Sequence, residues 1–312
     1  MFIVQRISGW LGRLSVGRKL MLIYLLDLTA VIYVSGILIH EKFLAIDFTR
    51  KETVGTAYTE AVSEALMATF MQQGAMPLLT REHLDALSRV RQAHDEVLKT
   101  EAQGAALADT LERLIAGPAD DAQARDTVLR QGRDLLTTVG NQSNLILDPD
   151  LDSYYVMSLT VLRFPELLQV VHDTRRYVEQ QSGHAAKGRS GPGGSASARA
   201  AELLTLAGRL DAVIGGIEAD YGQAFVAGSP ELQRLLRPTR EALHQNAQRF
   251  LSLVQTMATE DSLERDRPAL AAEHQQLLDN LRQTWRVGIA GMNGLLDKRV
   301  NGLYTRMWLH LG

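Results

Sequence analysis

A largely apolar run extends from Leu20 to Ile39 near the start of the chain. A run of about 20 apolar residues is long enough to cross the hydrocarbon core of a bilayer as a single helix. The basic residues Arg6, Arg13, Arg18 and Lys19 precede this run, and no acidic residue precedes Asp27. A basic flank of this kind stays on the cytoplasmic side. We therefore predict a cytoplasmic N-terminus over residues 1–19, a transmembrane helix over residues 20–40, and the remainder of the chain outside the cytoplasm.

The apolar run raises two further questions. It lacks the small-residue cleavage site of a secretory signal, which favours a retained anchor over a removed leader. It also contains Asp27, and a carboxylate inside a membrane helix is costly and often functional. For Asp27 we consider a signalling role and simple hydration near the cytoplasmic side as the two alternatives.

Beyond residue 40, apolar positions recur every three or four residues, as in amphipathic helices, and no segment alternates in the manner of a strand. One seam consists of Leu203, Leu206, Leu210, Val213 and Ile217, and another consists of Leu277, Leu281, Trp285, Ile289, Met292 and Leu296. Single seams of this kind suit an antiparallel bundle. We predict an all-α fold whose long antiparallel helices form one or two stacked four-helix bundles over residues 41–303.

Helix boundaries follow from local chemistry. An oxygen-bearing side chain precedes a proline at Asp148, Ser229 and Asp266, a pattern that starts helices. The predicted helices run from the membrane to about residue 73 and then near 80–116, 120–147, 149–181, 197–227, 230–258 and 266–308. Residues 182–199 are rich in glycine, serine and alanine and are predicted to be a flexible loop, which either joins two modules or decorates the tip of a bundle.

The last residues carry a second boundary signal. Tyr304 and Trp308 follow a long amphipathic pattern and resemble the aromatic belt where a helix enters a bilayer. We predict that residues 304–312 begin a second transmembrane helix, and the alternative is an ordinary amphipathic helix end.

The amino-acid composition excludes several kinds of partner and site. A net charge of -3 argues against a nucleic-acid partner, and the absence of cysteine excludes disulfides, thiolate metal sites and a cysteine nucleophile. The eight histidines include no i, i+4 pair, and Glu241 with His244 forms only one of the two Glu-x-x-His elements that a di-iron bundle needs. We therefore predict no metal, no cofactor and no catalytic residue.

Residues 140–168 are the least generic part of the chain. Carboxylates, amides and phenols meet there between two predicted helices, and convergent polar groups can bind a small ligand. The candidate ligand-binding residues are Asn141, Asn144, Asp148, Asp150, Asp152, Tyr154, Tyr155 and Arg163. Helix capping by Asp148 is the compatible alternative, and Arg163 has the alternatives of pairing with Glu166 or another carboxylate or of meeting an anionic ligand. The acid spacing also suggests a calcium loop, but the central glycine and the final glutamate of such a loop are missing.

The segments NQSNLILDPDLDSYYVM and LRFPELL, together with the apolar N-terminal run, resemble a known group. It comprises the helical periplasmic sensor regions of bacterial transmembrane receptors, namely methyl-accepting chemotaxis proteins, sensor histidine kinases and diguanylate cyclases. Within that group, the helical bimodular sensor has the nearest architecture. The resemblance implies two stacked four-helix bundles, a small organic acid as ligand, a homodimer, and signalling by a small displacement of the membrane-linked helices.

We therefore expect a ligand-sensing module in the bacterial inner membrane, with its main domain in the periplasm. Its signal would pass to a cytoplasmic output domain beyond residue 312, where any kinase or cyclase activity would lie. The second class of function is a protein-docking or structural module that binds no small molecule, and the third is an enzyme whose signature the sequence does not reveal.

Overall fold

The computed structural model of the chain describes residues 15–73, 76–118, 121–186 and 196–309. Its α-helices are α1 (Val16–Phe70), α2 (Arg81–Leu98), α3 (Glu101–Ala116), α4 (Ala122–Gln142), α5 (Leu151–Met157), α6 (Phe164–Ala186), α7 (Ala196–Ala227), α8 (Pro230–Glu260) and α9 (Leu263–Leu309). A 3-10 turn, Leu145–Leu147, follows α4, and a π-helical segment, Ser158–Arg163, joins α5 to α6. Two short strands, Gln72–Gln73 and Met76–Pro77, pair antiparallel. The predicted all-α fold is thus confirmed.

The chain forms two compact units, one of Met1–Thr49 with Arg299–Gly312 and the other of Arg50–Lys298. Among the described residues, α1 is the one helix that is long and apolar enough to cross a membrane. Its most apolar window of 18 residues has a mean hydropathy of 2.2 and no buried residue. This exposed apolar surface is compatible with the predicted anchor, and a signal sequence near the N-terminus would also meet these criteria of length and composition. Asp27 lies on the exposed surface of this window.

The core of the second unit contains both predicted seams. All five residues of the α7 seam and all six of the α9 seam are buried. The largest side chains meet around Phe164, whose ring centroid lies 6.0 Å from that of Trp285 and 6.5 Å from that of Tyr221. Aromatic rings bury large apolar areas, so this cluster stabilises the packing of α6, α7 and α9.

The helices of the second unit contact one another in a definite pattern. Helices α2, α3 and α4 pack together, and α7 packs against α5, α6 and α8. Polar contacts extend the pattern, since the Tyr58 hydroxyl of α1 donates to Asp95 of α2 at 2.7 Å and the Thr284 hydroxyl of α9 donates to the Thr239 carbonyl of α8 at 3.2 Å. Helix α1 therefore adjoins α2, and α9 adjoins α8.

Three predicted helix boundaries differ from the structure. The helix predicted over 80–116 breaks at Lys99, which is left-handed at φ 52° and ends α2, and no glycine or proline marks that break. The helix predicted from residue 120 ends at Gln142 because left-handed Asn144 turns the chain. Helix α9 begins at Leu263, before the predicted start at Asp266, and Asp266 accepts a hydrogen bond from Ser262 at 2.5 Å.

The predicted start of α8 is confirmed, whereas the ends of the predicted glycine-rich loop differ from the structure. Ser229 caps α8 by accepting a hydrogen bond from the Leu232 amide at 3.3 Å. The predicted 182–199 loop is shorter at both ends, because α6 continues to Ala186 and α7 starts at Ala196, and alanine favours helix. Residues 187–195 of that loop lie outside the described residues. Helix α9 extends to Leu309, and residues 310–312 of the predicted second transmembrane start lie outside them as well.

Candidate ligand-binding site

The sequence places most candidate residues at the 141–155 junction between α4 and α5. Asn144 turns the chain there with φ 69°, a conformation that asparagine adopts more readily than most residues. The junction is packed closely against α1, because a Cβ atom added to Gly55 would lie 2.2 Å from Ser143 Oγ and 2.8 Å from Leu145 Cδ1. Ser143 and Leu145 are buried. This close approach gives the junction an architectural role.

The acidic residues of the junction support its own backbone. Asp148 Oδ1 accepts a hydrogen bond from the Asp150 amide at 2.9 Å, and Asp152 Oδ1 accepts one from the Ser153 amide at 2.8 Å. Asp150, and not Asp148, occupies the N-cap position of α5, which begins at Leu151. The predicted cap at Asp148 is therefore wrong in detail. Asp148 instead fixes the turn that precedes the helix, a common use of aspartate.

The remaining junction residues differ in their exposure and contacts. The Tyr154 and Tyr155 rings meet edge to face, with centroids 5.2 Å apart. Asn141 is exposed on the last turn of α4, whereas Asn144 is half-buried. Of the eight predicted residues, only Arg163 lines one of the three cavities that contain Glu64, His172 and Arg209, respectively.

Arg163 is paired with carboxylates, as the sequence led us to consider. Its Nε donates to Asp220 Oδ2 at 3.0 Å, and its Nη1 lies 3.6 Å from Glu166 Oε2. Asp220 is buried and also accepts a hydrogen bond from the Ser158 hydroxyl at 2.7 Å. These contacts join the π-helical segment to α7.

A different set of residues forms a positively charged cavity, which we call the cationic pocket. It has a volume of about 180 Å³. Its lining comes from four helices and the strand after α1, and consists of Phe70, Gln72, Ala122, Arg125, His172, Arg175, Arg176, Glu179, His274 and Gln275. The end of α1 and the start of α4 thus face the middle of α6 and the first turns of α9.

Arg175 is held in place from two sides. Its Nε donates to Glu179 at 2.7 Å, and its Nη1 lies 3.2 Å from His274 Nδ1. Burial, together with the nearby charges of Arg175 and His172, lowers the pKa of His274 to about 3. His274 is therefore neutral near pH 7, so its Nδ1 accepts the hydrogen bond from Arg175 and its Nε2 carries the proton as a donor.

The second side of the pocket is organised by Asp126. Its Oδ1 lies 2.8 Å from His172 Nε2, and its other oxygen forms an ion pair with Arg176. The Phe70 ring packs edge-on against His172, with centroids 4.7 Å apart. Aspartate and phenylalanine therefore fix the imidazole of His172 at the wall of the pocket.

The cationic pocket is suited to a small anion. It is lined by three guanidinium groups and by one carboxylate, that of Glu179. Asp126 does not line the pocket, but it pairs with Arg176 and so neutralises part of the positive charge. Guanidinium groups bind carboxylates with strong, often bidentate, hydrogen bonds. The volume lies below the range typical of drug-sized ligands, so a ligand of only a few carbon atoms fits best.

Sequence reasoning missed this pocket because its residues are distributed over helices far apart in the chain. The only local signal is the cluster of His172, Arg175 and Arg176 at helical spacing on α6. Nothing in the sequence indicates that His274, about 100 positions later, contacts that cluster.

A further polar contact joins α1 to α9. Glu64 accepts hydrogen bonds from Arg282 at 2.9 Å and from Arg286 at 2.5 Å, beside a cavity of about 460 Å³. Burial opposes ionisation of Glu64, but the hydrogen bonds from Arg286 and Arg282 outweigh it and lower its pKa. Glu64 is therefore ionised near pH 7 and links the two helices.

Comparison of the chain with protein-family models, with curated proteins and with solved structures found no match. Across the described residues, no three histidine, aspartate or glutamate side chains come together in a way that could hold a metal ion.

Proposed function

We propose that the chain is the ligand-sensing part of a membrane-anchored receptor and that the cationic pocket binds a small organic acid. The observation that carries this proposal is the convergence of Arg125, Arg175 and Arg176 on one small cavity. The neutral His274 adds an N–H donor, which suits a carboxylate or hydroxyl oxygen of the same ligand. We propose no reaction for the bound acid.

The way in which the pocket is assembled suggests how binding would be transmitted. Phe70 belongs to α1, which also carries the apolar run, and His274 belongs to α9. A ligand can shift a conformational equilibrium only if it contacts the two states differently. A ligand held between α1, α4, α6 and α9 would favour one relative position of α1 and α9, and the ion pairs of Glu64 would resist the other.

The same proposal covers the arrangement of the bundles, the membrane topology, the oligomeric state and the output domain. We take α1–α4 as one four-helix bundle and α5–α9 as another in which α5 and α6 act as one helix, as in the helical bimodular sensors that the sequence resembles. The N-terminus would be cytoplasmic, the second unit periplasmic, and the receptor a homodimer in a bacterial inner membrane. A cytoplasmic output domain, such as that of a chemotaxis receptor, a kinase or a cyclase, would receive the signal.

A titration of the full chain in detergent micelles with acetate, succinate and citrate tests the proposal. We expect at least one acid to bind by calorimetry and to raise the melting midpoint, because a ligand that binds only the folded state stabilises it. Arg125→Gln should weaken that binding about tenfold or more, since hydrogen bonds to charged groups are strong. Arg130→Gln on the same helix is the matched control, because Arg130 is exposed and does not line the pocket.

The result that would overturn the proposal is equally direct. If none of the three acids binds, or if the Arg125 and Arg130 variants bind the acid equally well, the pocket is not the sensor site. The circular dichroism spectra of both variants should match that of the parent chain, which separates lost binding from lost folding.

One observation favours the docking module as a second candidate function. Leu147, Leu151 and Tyr154 are exposed near the junction, with 67%, 62% and 36% of their surfaces accessible. Exposed apolar side chains grouped in this way are common where proteins meet. A docking module would gain stability from a protein partner and from none of the acids.

A further inference from the structure

The geometry points to a second anion-binding site, separate from the cationic pocket, at the start of α6. Its cavity has a volume of about 260 Å³ and is lined by arginines from three elements, namely Arg133 of α4, Arg163 of the π-helical segment and Arg209 of α7. We propose that this Arg133 pocket, so named for its α4 residue, binds a small oxyanion, either a carboxylate or a phosphate group. This inference goes beyond organic-acid sensing at the cationic pocket.

Arg133 differs from the other two arginines of the pocket because its guanidinium has no carboxylate partner. Arg163 is paired with Asp220 at 3.0 Å and Arg209 with Asp173 at 3.1 Å. The Arg133 guanidinium forms no hydrogen bond or ion pair with any residue that the structure describes. A half-buried guanidinium without a carboxylate partner favours an anion that it can bind directly.

The carboxylate that lines the pocket does not fill it. Glu166 lies 3.6 Å from Arg163, beyond ordinary hydrogen-bond distance, and its side chain is 39% exposed. Exposed ion pairs of this kind contribute little free energy. A bound oxyanion can therefore take the place of Glu166 beside Arg163 while Asp220 continues to orient the guanidinium.

The rest of the lining holds these groups in place. Val170 and Val213 are buried and form an apolar floor, and the Gln169 side chain donates to Asp173 at 2.7 Å. The Arg163 guanidinium lies against the α7 backbone, because a Cβ atom added to Gly216 would be 2.9 Å from Arg163 Cζ. Glycine at 216 therefore permits the position of Arg163.

Binding at this pocket would act on an unusual part of the fold. Arg163 is the last residue of the π-helical segment, where the Phe164 amide bonds to the Leu159 carbonyl five residues earlier. Pro165 follows directly and has no amide hydrogen, so the chain cannot form a regular α-helical ladder there. Segments of this type recur at functional sites.

The test uses the full chain in detergent micelles at low salt, carrying Arg125→Gln so that the cationic pocket no longer contributes. Inorganic phosphate and acetate are titrated separately by calorimetry, and the tighter of the two identifies the source of the oxyanion. We expect one bound anion per chain in this background. Adding Arg133→Gln should weaken its binding about tenfold or more, whereas adding Arg130→Gln should leave it unchanged.

A second pair of variants tests the position of Arg163 without removing its charge. Gly216→Ala displaces the guanidinium and should weaken the same binding several-fold. Gly215→Ala is the control, because nothing lies within 4 Å of a Cβ atom at that position. Unchanged melting midpoints would show that both variants fold.

Three outcomes would overturn the inference: no binding of phosphate or acetate in the Arg125→Gln background, equal binding by the Arg133 and Arg130 variants, or equal binding by the Gly216 and Gly215 variants. A failure of organic-acid sensing gives a different result. In that case Arg125→Gln, made alone, does not change the binding of the organic acids. Arg133→Gln still weakens the binding of phosphate or acetate at the Arg133 pocket.

Discussion

The 141–155 junction gathers its polar residues within fifteen consecutive positions, whereas the cationic pocket takes its charged and polar residues from α4, α6 and α9. In the junction, Asp148 and Asp152 accept hydrogen bonds from the amides of residues next to them in the chain. In the pocket, Arg175 reaches His274 on another helix. A dense local cluster of polar residues thus serves the backbone here, and dispersed residues form the cavity.

The physical reason for this difference lies in the reach of the side chains. Aspartate and asparagine are short, and they satisfy the amides exposed at a turn or helix start, so they concentrate where the backbone needs acceptors. Arginine is long and can extend from a helix into a space shared by several helices. The comparison leads us to expect stability effects from changes in the junction and binding effects from changes in the pocket.

The largest expected effect tests the architectural role of the junction. Leu145→Ala should lower the free energy of unfolding by about 2–5 kcal/mol, because it removes buried methyl groups that pack near Gly55. Leu147→Ala, in the same turn, is the control and should change stability by less than about 0.5 kcal/mol, because Leu147 is 67% exposed. Chemical denaturation monitored by circular dichroism measures both. Equal effects would mean that the junction is not packed as described.

The second effect concerns pH and the cationic pocket. The pKa of His274 is about 3 in the folded chain, below its ordinary value of 6.5. The unfolded chain therefore takes up a proton first as the pH falls, so the stability contributed by neutral His274 is complete above pH 6.5 and is lost progressively below it. At about 1.4 kcal/mol per pH unit, the loss at pH 5 should be about 2 kcal/mol.

A substitution assigns that loss to His274. His274→Gln keeps an acceptor for Arg175 but cannot take up a proton, so the variant should lose less stability between about pH 7.5 and pH 5 than the parent chain. His40→Gln, at an exposed position, serves as the control. If the two variants and the parent chain show the same pH dependence, His274 is not held neutral by burial.

The third expected effect compares how substitutions in the cationic pocket and in the junction change the binding of an organic acid. Arg175→Gln should weaken the binding of an organic acid such as succinate about tenfold, because it removes a charged donor from the pocket. Asp152→Asn should change that binding less than about twofold, since Asp152 contacts the Ser153 amide. The opposite ranking would assign the ligand to the junction, as the sequence alone led us to predict.

The sequence predicts features that depend on neighbouring residues better than features that depend on contacts between distant residues. Helical periodicity is local, so the seam from Leu203 to Ile217 was found, and Ser229 with Pro230 marked the start of α8. The break at Lys99 was missed because its left-handed backbone is stabilised by contacts of Asp95 with Tyr58 and Thr100, and Tyr58 lies on another helix. Tertiary contacts override local preference in such cases.

The same limit applies to the candidate sites. Arg163 was singled out because it lies beside Pro165 and Glu166, and it does line a cavity, but Arg133 and Arg209 could not be assigned to that cavity from a single sequence. For the cationic pocket, pairing α4 and α6 with α9 requires knowledge of the packing. The roles of Asn141, Asn144, Tyr154 and Tyr155 in ligand binding stay predictions.

The smallest effect separates the side-chain charge of Asp148 from its ability to accept a hydrogen bond. Asp148→Asn retains an oxygen acceptor for the Asp150 amide and should cost little stability. Asp148→Ala removes the acceptor and should lower the free energy of unfolding by about 1 kcal/mol. Acid binding should stay the same in both variants, because Asp148 does not line the cationic pocket. If Asp148→Asn instead abolished acid binding while preserving stability, the negative charge at the junction would be part of the sensor, and the contrast between the two regions would fail.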